Sequence, residues 1–160
     1  MTEPVTQFDQ MIYVRLIEAC NLHCAHCFIP NNPKRMSWED VEAIPGRVRQ
    51  FAKPGQVLLF QFHGGEPTLV GVEFLRSVCV YLLTQLDDFA VQFSIQTNLM
   101  NYDVRWAALY RDFFNSNVGI SWDPEIRLLR KGRPETNAQF EDTFWRHVVE
   151  LQRDGISPYM

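Results

Sequence analysis

The stretch Met11-Ile12-Tyr13-Val14-Arg15-Leu16-Ile17, followed two residues later by Cys20-Asn21-Leu22-His23-Cys24-Ala25-His26-Cys27, decides how the rest of the chain is read. Ile12, Val14 and Leu16 alternate with Tyr13 and Arg15, the period-two pattern of a short β-strand. The strand runs into three cysteines at C-x3-C-x2-C spacing. Ahead of it, residues 1–10 form a polar N-terminal extension without the basic and apolar regions of a secretory signal. In a chain not marked for export, cysteines this crowded imply metal or redox chemistry before disulfides. The expected location is the cytoplasm.

The totals narrow the function classes. The chain has 160 residues, 46% of them hydrophobic, enough for the core of one domain. Fifteen Lys and Arg against 19 Asp and Glu leave a net charge of -4, which lacks the footprint of a phosphate-backbone binder. No nucleic-acid partner is expected. The most apolar helix candidate, Leu69 to Leu86, carries Glu73 and Arg76, so it reads as a buried helix and no membrane association is expected.

Outward from the cysteine strand, strands and helices alternate. Ser37 and Asp40 form a capping box that opens a helix at about Trp38, and Pro45-Gly46 should kink it before it resumes towards Phe51. Val57-Leu58-Leu59-Phe60 is an unbroken apolar run, the mark of a strand covered on both faces, and it ends in His63-Gly64-Gly65-Glu66-Pro67-Thr68. The helix Leu69 to Leu86 follows. Val91, Phe93 and Ile95 alternate with Gln92, Ser94 and Gln96 in a third strand ending at Thr97-Asn98. Tyr102 to Phe114 reads as a helix, and Val118 to Trp122 as a fourth strand. Thr136 and Gln139 suggest a second capping box; Phe140, Phe144, Val148 and Leu151 then mark the apolar face of a helix on which His147 is read as solvated. Ile156 to Tyr159 opens a fifth strand. At about thirty residues per unit, this alternation predicts an α/β fold of parallel strands joined by crossovers.

Each unusual stretch falls at the carboxyl end of a strand, where parallel α/β folds place their chemistry. Gly64 and Gly65 permit close backbone approach, Glu66 supplies a carboxylate suited to an ammonium group, and Pro67 stiffens the turn. Gln96-Thr97-Asn98 and Ser121-Trp122-Asp123 close the next two strands. Cys79, flanked by Val78 and Val80, reads as a small buried hydrophobe, which leaves Cys20, Cys24 and Cys27 as metal ligands. Two metals suit them. Three thiolates can hold a [4Fe–4S] cluster with one iron open, or join His23 or His26 in a Cys3His zinc site.

The cysteine spacing and Gly64-Gly65-Glu66-Pro67 together resemble the two hallmarks of the radical S-adenosylmethionine (SAM) superfamily. Asp123-Pro124-Glu125-Ile126, Arg130-Lys131-Gly132-Arg133-Pro134 and Phe140 resemble its peptide-modifying branch, which includes the anaerobic sulfatase-maturating enzymes and commonly carries a C-terminal SPASM extension. The resemblance implies a partial TIM-like barrel, here about four βα units and the start of a fifth, with residues 11–160 forming the N-terminal part of the core. It implies that Cys20, Cys24 and Cys27 hold a [4Fe–4S] cluster whose open iron is chelated by SAM. Gly64, Gly65, Glu66 and Pro67 would meet the methionine end, and Gln96, Asn98 and Ser121 the ribose or carboxylate. His26 stands where the family has a carbocyclic aromatic; it either stacks near adenine or belongs to the loop surface.

The implied reaction is reductive cleavage of SAM to a 5′-deoxyadenosyl radical, which abstracts hydrogen from a peptide or protein side chain. An external one-electron reductant, flavodoxin- or ferredoxin-like, would supply the electron. Because the implied barrel has six units, the chain is expected to be part of a longer protein. A non-enzymatic metal-binding module and a glycyl-radical activase are the alternatives.

Overall fold

The computed structural model describes residues 7–160, so Met1 to Thr6 of the expected extension lie outside the described residues. Five strands, β1 (Gln10–Ile17), β2 (Val57–Gly64), β3 (Ala90–Thr97), β4 (Asn117–Ile120) and β5 (Ser157–Tyr159), form one sheet. The order is β1-β2-β3-β4-β5 with every neighbouring pair parallel, so the sheet is sequential and open. The α/β reading with parallel strands is borne out, and the sheet is not closed. The last residues of the extension join the sheet: the Asp9 N–H donates to Val57 O at 2.9 Å, and Gln10 already belongs to β1.

Period two sorts the strand side chains. Val14, Leu16, Leu58, Phe60, Phe62, Ile95, Val118 and Ile120 are buried in one apolar cluster with the helices, whereas Met11 and Tyr13 on the other face of β1 are about half exposed. The helices are α1 (Trp38–Glu42), α2 (Ile44–Val48), α3 (Val72–Gln85), α4 (Val104–Phe113) and α5 (Thr136–Arg153). Leu75, Val78 and Leu82 of α3, Trp106 and Tyr110 of α4, and Phe140 and Phe144 of α5 supply their share of that cluster. Among the described residues, no helix is long and apolar enough to cross a membrane.

Several local expectations shift, each for a physical reason. The Ser37–Asp40 capping box forms, but the first helix breaks at Ala43 and Pro45 lies in the first turn of α2, where its missing N–H costs nothing. The long helix does not begin at Leu69. Pro67–Val70 make a separate 3-10 turn, and Gly71, at φ 88°, redirects the chain before α3. β4 stops at Ile120, leaving Ser121 and Trp122 beyond the strand. Thr136 is no helix cap: its hydroxyl donates to Arg133 O at 2.7 Å and accepts from Leu129 N–H at 3.0 Å, which folds the preceding loop. His147 is half-buried rather than solvated, with Nδ1 2.8 Å from Leu99 O.

Cys79 has no exposed surface and sits in the apolar cluster, as its neighbours suggested. Replacing Cys79 with Ala is expected to cost about 1 kcal/mol in urea denaturation through the small cavity left behind. Metal uptake should be unchanged; a loss of bound metal would make Cys79 a ligand.

Candidate functional site

The site begins where the end of β2 is zipped to the entry of the cysteine loop. Gly65 N–H donates to Ile17 O at 3.0 Å and Glu66 N–H to Ala19 O at 2.8 Å. A Cβ on Gly65 would lie 2.1 Å from Ala19 O and 2.4 Å from Glu18 O, both backbone atoms. Gly64 has φ 144°, and a Cβ there would meet Ile17 O at 2.4 Å. The glycines thus admit the protein's own backbone.

Glu66, read as offering a carboxylate to an ammonium group, turns it inward and is 1% exposed. Its Oε1 accepts from Thr68 N–H at 3.1 Å and from the hydroxyls of Thr68 and Thr97, each at 2.7 Å. Its Oε2 accepts from Asn98 N–H at 2.8 Å. One carboxylate therefore joins the turn after β2 to the end of β3. Burial pushes the carboxyl above the usual glutamate range, and the donors pull it back. Pro67 is buried as the first residue of the 3-10 turn.

The cysteine loop is closed by a residue the sequence reading passed over. Cys20 N–H donates to Asn31 Oδ1 and Asn31 Nδ2 to Cys20 O, both at 3.0 Å. The loop then returns beside β1, with Glu18 N–H on Lys34 O and Met36 N–H on Leu16 O, each at 2.9 Å. His23 N–H donates to Leu128 O at 2.7 Å, which ties the loop to the segment after β4. Cys20 and Cys24 are half-buried and Cys27 is exposed. Burial pushes the Cys20 thiol up to about 11, helped by the charge of Glu66 and by the other two thiols and opposed by Leu22 N–H. Burial also raises Cys24, against the opposing charge of Arg127 and the Leu128 N–H. Metal binding must therefore displace protons from both.

All three thiols line a cavity of about 200 Å³. Gly64, Gly65, Glu66, Gln96, Asn98, Ser121 and His26 line it too, so of the residues expected at the site only Pro67 stands back. Gln96 Nε2 donates to Ser121 Oγ at 2.8 Å, and a Cβ on Gly119 would lie 2.3 Å from Gln96 Oε1; the glycine leaves room for that side chain. His26 is exposed, with Nε2 3.9 Å from Asp123 Oδ2. Asp123 in turn pairs with Arg127, four residues on. Arg127, unnoticed in the sequence, is 13% exposed along its side chain, lines the same cavity, and leaves its buried Nε without a partner among the described residues.

Among the described residues, no three His, Cys, Asp or Glu side chains converge closely enough to hold a single metal ion. The histidines of the zinc alternative also part company. His23 lines a second cavity, of about 450 Å³, together with all three cysteines and Lys131, whereas His26 lies on the first and faces Asp123. What the loop offers is three soft sulfur donors around a cavity that Gln96, Asn98, Ser121 and Arg127 also line, a donor set that fits an iron–sulfur cluster.

With that geometry in hand, comparison with known proteins is direct. The Radical SAM superfamily model matches residues 14–144, from β1 into α5. The chain belongs to the Radical SAM superfamily. A cysteine-type anaerobic sulfatase-maturating enzyme of Clostridium novyi (strain NT) is 35% identical over 127 residues, covering 74% of this chain and 33% of that enzyme. A serine-type anaerobic sulfatase-maturating enzyme of Klebsiella pneumoniae is 27% identical over 145 residues, covering 83% of this chain and 37% of that enzyme. The solved structure of native anSMEcpe with bound AdoMet matches at a TM-score of 0.71 and 24% identity, covering 92% of this chain and 42% of that one; this likeness establishes the fold. The chain thus spans about a third of the length of the curated relatives it matches.

Two substitutions test the zipper. Gly65→Ala must part β2 from the loop, an overpacking cost of about 1–3 kcal/mol or more in urea unfolding. Glu66→Gln turns an NH2 towards either Thr68 N–H or Asn98 N–H and strands that donor, at about 1–3 kcal/mol. Unchanged stability in Glu66→Gln would remove the carboxylate from its joining role.

Proposed function

We propose that residues 11–160 form the N-terminal part of the core of a radical SAM enzyme, with residues 1–10 an extension to it. The observation that carries this reading is the meeting of both sequence hallmarks on one cavity: Cys20, Cys24 and Cys27 on one wall, Gly64-Gly65-Glu66 on another. Cys20, Cys24 and Cys27 would hold three irons of a [4Fe–4S] cluster. With a reduced cluster bound, the group supplies one electron to the sulfonium of SAM, releasing methionine and a 5′-deoxyadenosyl radical that takes hydrogen from a peptide or protein side chain.

The chain's own residues bind and orient. The turn Gly64-Gly65-Glu66-Pro67 offers backbone to the amino-acid end of SAM, because the Glu66 carboxylate is already engaged. Gln96 and Ser121, held together by their hydrogen bond, face the ribose or carboxylate. Arg127 adds a guanidinium on the same cavity for the carboxylate, and the exposed His26 would meet the adenine. The sulfatase-maturating relatives support a peptide or protein substrate, and a flavodoxin- or ferredoxin-like carrier is the natural one-electron donor. Free thiols suit the reducing cytoplasm.

Anaerobic reconstitution with iron and sulfide should give a brown protein with about four irons per chain. Dithionite and SAM should then release 5′-deoxyadenosine, detected by liquid chromatography and mass spectrometry, and Cys24→Ala should abolish both. Full iron loading with SAM left intact would overturn the enzymatic reading. One tightly bound zinc per chain in its place would favour a metal-binding module. Arg127→Gln should weaken SAM binding about tenfold or more in equilibrium dialysis, the scale of a lost charged hydrogen bond.

A further inference from the structure

Asn98 was expected at the SAM pocket, but its amide is committed elsewhere. Its Oδ1 accepts from Met100 N–H at 3.0 Å, and a backbone N–H can only donate, so the orientation of the amide is settled. The Nδ2 therefore faces Asn21 Oδ1 at 2.7 Å and Cys20 Sγ at 3.8 Å. Asn98 is 4% exposed, and its own N–H is held by Glu66 Oε2. From there the amides run in one direction. Asn21 Nδ2 donates to Asn101 Oδ1 at 3.3 Å, Asn101 Nδ2 to Thr68 Oγ1 at 3.5 Å, and the Thr68 hydroxyl to Glu66 Oε1 at 2.7 Å. The ring closes on the carboxylate, so each donor is polarised by the next.

We propose that Asn98 is a positioning residue for Cys20: its amide fixes the orientation of that ligand and, by donating to its sulfur, raises the reduction potential of the cluster. This rests on the reading that the loop holds a [4Fe–4S] cluster. The three ligands are not equivalent. Cys20 receives Leu22 N–H at 3.4 Å as well as the Asn98 amide. Cys24 has Leu128 N–H and the charge of Arg127, and Cys27 is exposed, with its Sγ 3.9 Å from a carbonyl, that of Ile29. A donor on a ligating sulfur favours the more negative, reduced state of a cluster, and hydrogen bonds to sulfur are a recognised lever on potential.

The test is a redox titration of the reconstituted protein without SAM, followed by electron paramagnetic resonance. Asn98→Ser keeps a side-chain oxygen that can cap Met100 but is too short to reach Cys20. Iron content should stay at the wild-type level, and the reduced fraction at a fixed potential should fall about two- to tenfold, the worth of one hydrogen bond. If Asn98→Ser does not fold, Asn98→Asp decides. It is isosteric, keeps the acceptor for Met100 and replaces the donor by an anionic oxygen, so its potential should fall further. An unchanged potential with full iron overturns the proposal, as does a loss of SAM affinity with no change in potential. Failure of the wild-type protein to take up iron would instead overturn the cluster reading itself.

Discussion

A single buried carboxylate holds this site together. Glu66 accepts from Thr68, Thr97 and Asn98, and its backbone N–H reaches Ala19 at the entry of the cysteine loop. Three consecutive strand ends are thereby fixed to one another before any ligand is considered. Removing a carboxylate from water is costly, and the fold meets that cost by surrounding it with donors from two segments, the turn after β2 and the end of β3. The same carboxylate sets the direction of the amide ring that reaches Cys20.

The cysteine loop shows the same economy of backbone. It carries no regular secondary structure between Cys20 and Cys27, yet Asn31 clamps both the N–H and the carbonyl of Cys20. The glycines at the end of β2 let two strand ends approach more closely than any Cβ would permit. Three thiols are thus presented from a loop whose two ends are both anchored to β1. Such anchoring holds the three thiols against the flexibility of a short, polar loop.

Much of this was legible from residue order because the governing interactions are local. Strand alternation, the apolar run Val57 to Phe60, the Ser37–Asp40 cap and the C-x3-C-x2-C spacing all act within a few residues. The placement of polar clusters at strand ends also held, since parallel topology alone brings those ends to one side. The misses came where a side chain had two possible partners. Thr136 looked like a helix cap and serves a loop; His147 looked solvated and bonds Leu99 O. Arg127 carries no motif, and only folding shows that it lines the cysteines' cavity while its buried Nε lacks a partner among the described residues.

The sequence by itself determined the α/β class, the family and the three thiols, because period, spacing and residue chemistry are properties of short segments. Tertiary structure alone decided which way Glu66 and Asn98 point. Each has a side chain that can serve a ligand or the protein with equal chemistry. The choice depends on donors brought from residues far away in the chain: Thr97 lies 31 positions from Glu66, and Asn98 lies 78 from Cys20. No local pattern encodes such a pairing, and only closure of the strand ends around a buried charge settles it.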